Sequence, residues 1–567
     1  MTPSPFSSEK LLFTPATPDP NAIDLVFAFP NDYNVGITSL GYQVVWATFA
    51  VRSDVSVSRL FMDVSDPLPS QPEILGFSVS WELDYVNILG MLEKLAIPIW
   101  ARDRKKSHPI LFGGGPVLTA NPEPFAEFFD VILLGDGEIL LGAFIDAYQQ
   151  VRGADRLTQL RHLARIPGIY VPSLYQVEYT APDGPIAAIT PVESGIPARI
   201  EKQTYRGNQL SMSTVVTEKS VWENIFMVEV VRSCPEMCRF CMASYLTLPF
   251  RTADLETSLI PAIETGLKVT DRLGLLGASV TQHPEFDGLL DYINRPEYDD
   301  VRVTVASVRT NTITEKFAQT LVNHATKSVT IAVESGSDRI RQVINKKLEN
   351  TEITDAAIRA KSGGLSGLKL YGMVGLPTEE MEDVEMTVAM LKQLKKAAPG
   401  LRLTWGCSTF VPKSHTPFQW FGINKQGEKR LQFLQKQLRP QGIEFRPESF
   451  NWSIIQTLLS RGDRRLAPLL ELVRHYGDTL GSYRRAFKEM KGQLPSLDFY
   501  VYDTWELDRV LPWSHIQGPL PVETLKKHLA QSIAPTRPFL FTIYNYPFKH
   551  WVQQWRVAIT SPPSAVK

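Results

Sequence analysis

The chain has 567 residues, 44% of them apolar, and a formal net charge of −1. That length predicts two to four domains with ample cores, and the near-neutral balance argues against a nucleic-acid or anionic-membrane partner drawn by bulk charge. Four cysteines in so long a chain make no disulfide framework, the opening residues lack a signal-peptide order, and no apolar run reaches the roughly eighteen residues of a membrane span, so a reducing cytoplasm is the expected place.

Residues 20–155 alternate between strand-like and helix-like runs. Residues 23–29 read as a strand, 36–49 as a helix, 74–80 as a second buried strand and 82–95 as an amphipathic helix. Two more apolar runs end in Gly113-Gly114-Gly115-Pro116 and in Gly135-Asp136-Gly137-Glu138. Such alternation predicts an α/β domain with a doubly wound, Rossmann-like parallel sheet. Ligands of such sheets bind at the carboxyl ends of the strands. Gly114, Gly115, Gly135 and Gly137 fall at those ends, where a missing side chain lets a ligand approach the backbone; plain turn glycines would look the same. The run Arg102-Asp103-Arg104-Lys105-Lys106 reads as a solvated turn.

Residues 156–220 read as a connector of short strands and turns, with Val171, Tyr175, Val177 and Tyr179 among its apolar positions. From 221 to 425, strands are expected at 226–231, 273–280, 301–307, 328–334, 368–374 and 401–410. Helices are expected between them, for example at 314–324, 337–345 and 380–397. Six strand–helix units predict a partial (β/α)6 barrel with its chemistry at the strand carboxyl ends. Residues 426–567 read as a mostly helical extension, charged at first and rich in Trp, Tyr and Pro at its end.

Three of the four cysteines follow the first barrel strand, in Cys234-Pro235-Glu236-Met237-Cys238-Arg239-Phe240-Cys241. A structural zinc site needs four closed ligands, and a ferredoxin-type cluster needs a fourth cysteine nearby. Cys407 is far away, inside a strand pattern, and reads as core. Three thiolates from one loop can hold three irons of a 4Fe–4S cluster and leave the fourth iron open.

This C-x3-C-x2-C loop resembles that of the radical S-adenosylmethionine (SAM) superfamily. The resemblance implies a 4Fe–4S cluster on Cys234, Cys238 and Cys241, with SAM at the open iron as the source of a 5′-deoxyadenosyl radical. It implies further that Glu334, ending the fourth strand, meets the SAM ribose. The turn Gly375-Leu376-Pro377-Thr378-Glu379 resembles the family's fifth-strand turn near the adenine. Ser307 and Arg309, after the third strand, are expected to reach the SAM carboxylate, for which an arginine fork is apt. The family's Gly-Gly-Glu at the second strand is replaced by Gly277-Ala278-Ser279, so carbonyls near Ala278 and Ser279 are the expected amino-group partners. Glu379 and Glu380 are also read as opening the next helix, where acids suit the dipole.

Residues 20–155 resemble the cobalamin-binding domain that precedes the barrel in one class of these enzymes. The element Asp-x-His-x-x-Gly is absent, and His108 and His162 lack its pattern. A bound cobalamin would then have no histidine on cobalt; an empty, vestigial domain is the competing reading. Phe410-Val411-Pro412-Lys413-Ser414-His415-Thr416-Pro417-Phe418-Gln419-Trp420 and Ser460-Arg461-Gly462-Asp463-Arg464-Arg465 resemble stretches of a fused subgroup. Lys413 and His415 are catalytic candidates above the sixth strand, with packing and loop bonding as the plainer roles. The resemblance implies a SAM enzyme, with cobalamin a C-methylating one, fed by an electron donor such as ferredoxin or flavodoxin. The alternatives are non-methylating radical chemistry, which includes RNA modification, and a non-catalytic iron–sulfur scaffold; the substrate is not legible.

Overall fold

The computed structural model describes residues 5–306 and 308–533, so Ser307 and the end of the helical extension lie outside the described residues. Six strands carry the first half: β1 (Ile23–Ala28), β2 (Val55–Leu60), β3 (Ile74–Ser78), β4 (Ile110–Gly114), β5 (Val131–Leu133) and β6 (Ile169–Tyr170). They lie in the order β2-β1-β3-β4-β5-β6. All neighbours are parallel except β5 and β6. β1, β3 and β4 are almost wholly buried, as parallel strands covered on both faces must be. The edge strand β2 reads Val-Ser-Val-Ser-Arg-Leu, and its short polar residues hid it from a search for apolar runs. The helix expected at 36–49 is two, Tyr33–Thr38 and Leu40–Ala50, because Ser39 breaks out and caps the second by accepting from the Tyr42 amide.

The second half is an arc of seven parallel strands: β7 (Ile225–Glu229), β8 (Arg272–Leu276), β9 (Arg302–Val305), β10 (Ser328–Glu334), β11 (Gly367–Val374), β12 (Arg402–Thr409) and β13 (Glu444–Pro447). Among the described residues a single bridge, Val308 to Ile331, joins the β7–β9 and β10–β13 ladders. The sequence predicts six strands; β13 is a short addition on the edge, mostly exposed. The outer edge of β7 is covered, since Ser213 donates to the Met227 carbonyl and Glu229 to the Ser211 carbonyl, both at 2.8 Å. That removes a free strand edge. Leu368, Leu370 and Val374 of β11 pack with Val384, Val388 and Leu391 of the helix Met381–Ala397. The core therefore lies between strands and outer helices, and the opposite strand faces line the barrel interior.

The extension supplies helices at Gly427–Leu438, Phe450–Arg461, Leu466–Tyr476, Leu480–Glu489, Leu497–Val501 and Val522–Ile533. It packs on the first half. The Asn121 amide donates to the Ser460 and Gly462 carbonyls at 3.1 and 2.9 Å, and Arg464 pairs with the buried Glu123 at 2.9 Å. The Ser460–Arg465 stretch is thus a junction between the extension and the first half.

Candidate functional site

Cys234, Cys238 and Cys241 lie in the loop after β7, at the carboxyl end of the arc. Two residues of that loop take left-handed backbone angles, Ser233 at φ 73° and Met237 at φ 57°, which non-glycine residues adopt only when their surroundings hold them. The holding groups come from three strand ends. The Asn345 amide donates to the Met237 and Glu236 carbonyls at 2.8 and 3.2 Å. The Arg239 guanidinium donates to the carbonyls of Val343 and Gln342 at 2.7 and 2.8 Å. The Glu236 carboxylate accepts from Gln282 at 2.6 Å and pairs with Arg309 at 3.1 Å.

Cys238 is buried, and Cys234 and Cys241 are half-buried. Burial pushes the Cys238 thiol up to about 12, opposed by the nearby Lys346 charge, and raises Cys241 as well. Thiols so placed ionise readily only beside a bound cation. Among the described residues no three Cys, His, Asp or Glu side chains converge on a single ion. A cube that spreads three thiolates over three corners does not ask for that, so this donor set fits a 4Fe–4S cluster. Cys407 is 2% exposed among Leu403 and Trp405 on the helix-facing side of β12.

Glu334 ends β10 at a bulge, with φ 66°. Its carboxylate meets the Lys346 ammonium at 2.9 Å, and both residues are buried. Lys346 was not singled out from sequence; its signal was the Asn345-Lys346-Lys347 run that follows the helix after β10. Arg309, expected to be free for a carboxylate, is committed elsewhere: beyond Glu236 it donates to the Lys346 and Lys347 carbonyls at 3.1 and 2.8 Å. It braces the cysteine loop. Ser307 lies outside the described residues.

The turn after β11 is fixed by its own carboxylate. Gly375, at φ 76°, donates its amide to Glu379 Oε2 at 2.6 Å, and Arg430 donates to the same oxygen at 2.8 Å. Burial pushes the Glu379 carboxyl up to about 7. Leu376 is buried and Pro377 half-buried. Glu380, not Glu379, caps the following helix, in a capping box with Asp383. At the end of β8, Gly277 sits at φ 149° and a side chain there would stand 2.6 Å from the Val231 carbonyl, so this turn also packs on the strand that leads to the cysteines.

A cavity of about 280 Å³ lies at the carboxyl end of the first sheet. Ser78, Gly114, Thr119 and Gly135 line it from that sheet, and Met242 and Leu246, just past Cys241, line it from the barrel. The four glycines there differ. A Cβ on Gly115 would stand 2.5 Å from the Val79 carbonyl, and one on Gly135 2.1 Å from the Gln203 carbonyl. Those two serve backbone contacts within the protein. A Cβ on Gly137 would meet Leu141 at 3.3 Å, whereas one on Gly114 finds nothing nearer than Leu133 at 3.9 Å. Gly114 therefore borders free space. At the polar rim, Arg232, two residues before Cys234, pairs with Glu138 of the first half at 2.8 Å and with Glu229 of β7 at 2.6 Å. His108 and His162 do not line this cavity.

Lys413 and His415 do not face the barrel interior. Lys413 pairs with Glu82 and bonds Ser460, while Ser414 donates to the Ala120 carbonyl at 2.7 Å. His415 is buried against Gly518, and its Nε2 finds no partner among the described residues. The chain leaving β12 turns onto the first half, so both side chains sit in a seam.

Residues 228–391 match the family model described as the radical SAM superfamily, and residues 55–172 match that of radical SAM proteins, N-terminal. Residues 228–391 thus form a radical SAM domain. A protein of Methanocaldococcus jannaschii named only as uncharacterized is 27% identical over 463 residues, 79% of this chain and 90% of the relative. An uncharacterized methyltransferase of Pyrococcus horikoshii is 25% identical over 290 residues, 50% of this chain and 57% of that one. Among solved structures, the radical SAM methyltransferase TsrM from Kitasatospora setae, with cobalamin and a [4Fe-4S] cluster bound, matches with TM-score 0.51 at 14% identity, over 70% of this chain and 77% of that one. This likeness is one of fold, a sheet domain ahead of a radical SAM barrel. Among the described residues no helix is long and apolar enough to cross a membrane.

Proposed function

We propose that this radical SAM enzyme binds a corrinoid in its first half and methylates a carbon atom of its substrate. One observation carries the reading: a single cavity is walled on one side by the strand ends of the first sheet and on the other by Met242 and Leu246, the residues that follow the last cluster cysteine. A cofactor placed there adjoins the cluster loop. The TsrM structure holds such a pair of cofactors, and the P. horikoshii relative is named a methyltransferase. When bound, the cluster and SAM would supply a 5′-deoxyadenosyl radical, and the corrinoid a transferable methyl group.

The chain's own residues bind, orient and shield. Cys234, Cys238 and Cys241 present the three thiolates. Glu334 offers a carboxylate to a ribose diol, and Lys346 beside it offers a cation to the SAM carboxylate. The Gly375–Pro377 turn, locked by Glu379 and Arg430, presents backbone groups to the adenine edge. Phe77, Phe112, Leu133 and Leu141 give the cavity an apolar wall that excludes water. Electrons would come from a small carrier such as ferredoxin or flavodoxin.

The test is anaerobic reconstitution with iron, sulfide and hydroxocobalamin, followed by metal, sulfide and corrinoid analysis. Turnover with SAM and a reductant is then assayed for 5′-deoxyadenosine and S-adenosylhomocysteine. About four irons, four sulfides and one corrinoid per chain are expected. A protein that assembles the cluster and cleaves SAM but takes up no corrinoid would sink the methylation reading and leave non-methylating radical chemistry.

A further inference from the structure

We infer that the barrel interior binds a substrate with a flat unsaturated ring and an anionic group, the ring lying on Tyr371 and the anion facing Lys369. This rests on the radical SAM reading of the barrel and names the substrate class for that same site.

The ordering comes from strand register. β11 is a central strand, with β10 on one side and β12 on the other. Its helix-facing residues Leu368, Leu370 and Val374 are buried, while Lys369 and Tyr371, on the interior face, are exposed. A tyrosine 50% exposed in the middle of a central strand is unusual, because large aromatic side chains normally dominate packed cores. Among the described residues Tyr371 and Lys369 have no hydrogen-bond or ion-pair partner through their side chains.

Three rows cross the strands. In the deep row Lys369 stands between Thr330 and Thr404. In the middle row Tyr371 stands between Ala332 and Gly406. In the outer row Met373 stands beside Ser408, at the level where Glu334 ends β10. Successive rows are about 6.6 Å apart, two residues of parallel strand. The outer row is the proposed SAM level, so a ligand on Tyr371 lies one row below it.

The middle row is built to bare one ring. A Cβ on Gly406 would stand 2.6 Å from Tyr371 Cδ1. Any other residue at 406 would therefore push the ring off its bed. Ala332 on the other side adds no bulk, so the half-exposed ring is a platform for an offset-stacked partner. The deep row supplies charge. Thr404 is already spoken for, since its hydroxyl donates to Glu444 at 2.9 Å, and Glu444 pairs with Arg446 at 2.6 Å. Glu444 is thus compensated, and Lys369 is left as the cation with the Thr330 hydroxyl beside it. A cation one row beneath an aromatic platform selects a ring that carries a carboxylate, sulfonate or phosphate at its far end.

The experiment uses the full chain with its cluster reconstituted, and SAM affinity is measured on the same samples. The probe is 2-naphthoate, read by equilibrium dialysis, with 2-naphthalenemethanol and cyclohexanecarboxylate as controls for charge and for the flat ring. The wild type should bind 2-naphthoate more tightly than either control. Lys369→Met should weaken 2-naphthoate about threefold, as for a part-exposed charge pair, and leave the alcohol unchanged. Tyr371→Leu should weaken both aromatic probes about threefold to tenfold, and Tyr371→Phe should weaken neither. Gly406→Val should act as Tyr371→Leu does. Failure of 2-naphthoate to bind, equal binding of cyclohexanecarboxylate, or indifference to Tyr371→Leu overturns the proposal. A protein that binds no SAM but still binds 2-naphthoate in this pattern loses the radical SAM reading of the site, not the ring-and-anion assignment.

Discussion

The two sheets of this protein end in different kinds of edge. At the carboxyl edge of the first sheet β4 ends in Gly114 and β5 runs into Gly135, and beside Gly114 lies space, a cavity of about 280 Å³. At the carboxyl edge of the barrel the strands finish in charges that are already paired, Glu334 with Lys346 and Arg309 with Glu236. One edge waits for a ligand by shape, the other by electrostatics. A substitution that fills space should therefore be decisive at the first edge, and one that removes charge at the second.

The largest expected effect lies at the second edge. Replacing Cys234, Cys238 and Cys241 together by Ala should abolish the cluster, read as iron and sulfide content and as loss of its visible absorption. Cys407→Ala should keep it, because that thiol is packed between strand and helix. A cluster lost in Cys407→Ala would mean that the ligands are assigned wrongly.

At the first edge, Gly114→Leu should block corrinoid uptake while cluster content and thermal midpoint stay near wild type. Gly135→Leu provides the contrast. Its side chain would collide with the Gln203 backbone, so it should lower the thermal midpoint whether or not a corrinoid is offered. Equal corrinoid uptake by Gly114→Leu and wild type would show that the cavity is not the binding place. His108→Ala and His162→Ala should bind corrinoid as the wild type does, since neither lines the cavity.

How far the sequence carried these edges depends on how local each feature is. The strands of the sheet and the arc were legible because buried parallel strands are continuous apolar runs, and β10 was read to the residue. β2 and β13 were missed because both sit at edges and half of their residues are polar. The cysteine loop was legible from spacing alone. The clasp around it was not: Asn345 and Lys346 come more than a hundred residues later, and only the fold brings them beside Met237 and Glu334. The glycines were legible as strand ends, but sequence could not tell Gly114, which borders space, from Gly135, which touches Gln203. Lys413 and His415 were read as lying above the sixth strand, yet the chain turns there onto the first half.

That seam between the halves should respond to acid. Burial pushes His415 and His515 down to about 4 from 6.5. Glu123, 3.5 Å from His515, favours the charged form, and Arg464 opposes it. A folded-state value below the unfolded one means that the fold binds fewer protons. The stabilisation is therefore full above about pH 6.5 and is lost as the pH falls through the window from 6.5 to 4, by about 2 kcal/mol per histidine at pH 5. Urea denaturation at pH 7.5 and pH 5 reads this. His415→Gln and His515→Gln should each lose less stability across that interval than the wild type. Identical losses would place the acid sensitivity elsewhere.

The Glu334–Lys346 pair gives the most discriminating test of the charged edge. If Glu334 accepts the ribose hydroxyls, Glu334→Gln should weaken SAM binding by about 1.5–3 kcal/mol, the range for hydrogen bonds to a charged group. The same substitution also leaves the Lys346 ammonium buried without its partner, so the single variant mixes two causes. Lys346→Met removes the cation, and with it a partner for the SAM carboxylate. The double variant Glu334→Gln/Lys346→Met has no stranded charge. If each residue meets SAM directly, the double variant should bind SAM more weakly than either single one, with losses that add to within the coupling of the pair. If Glu334 only neutralises Lys346, the second substitution should restore what the first removed. Isothermal titration of SAM into the anaerobic, cluster-loaded protein separates the two. Restoration in the double variant would assign Glu334 to the clasp around the cysteine loop and move ribose recognition to another group.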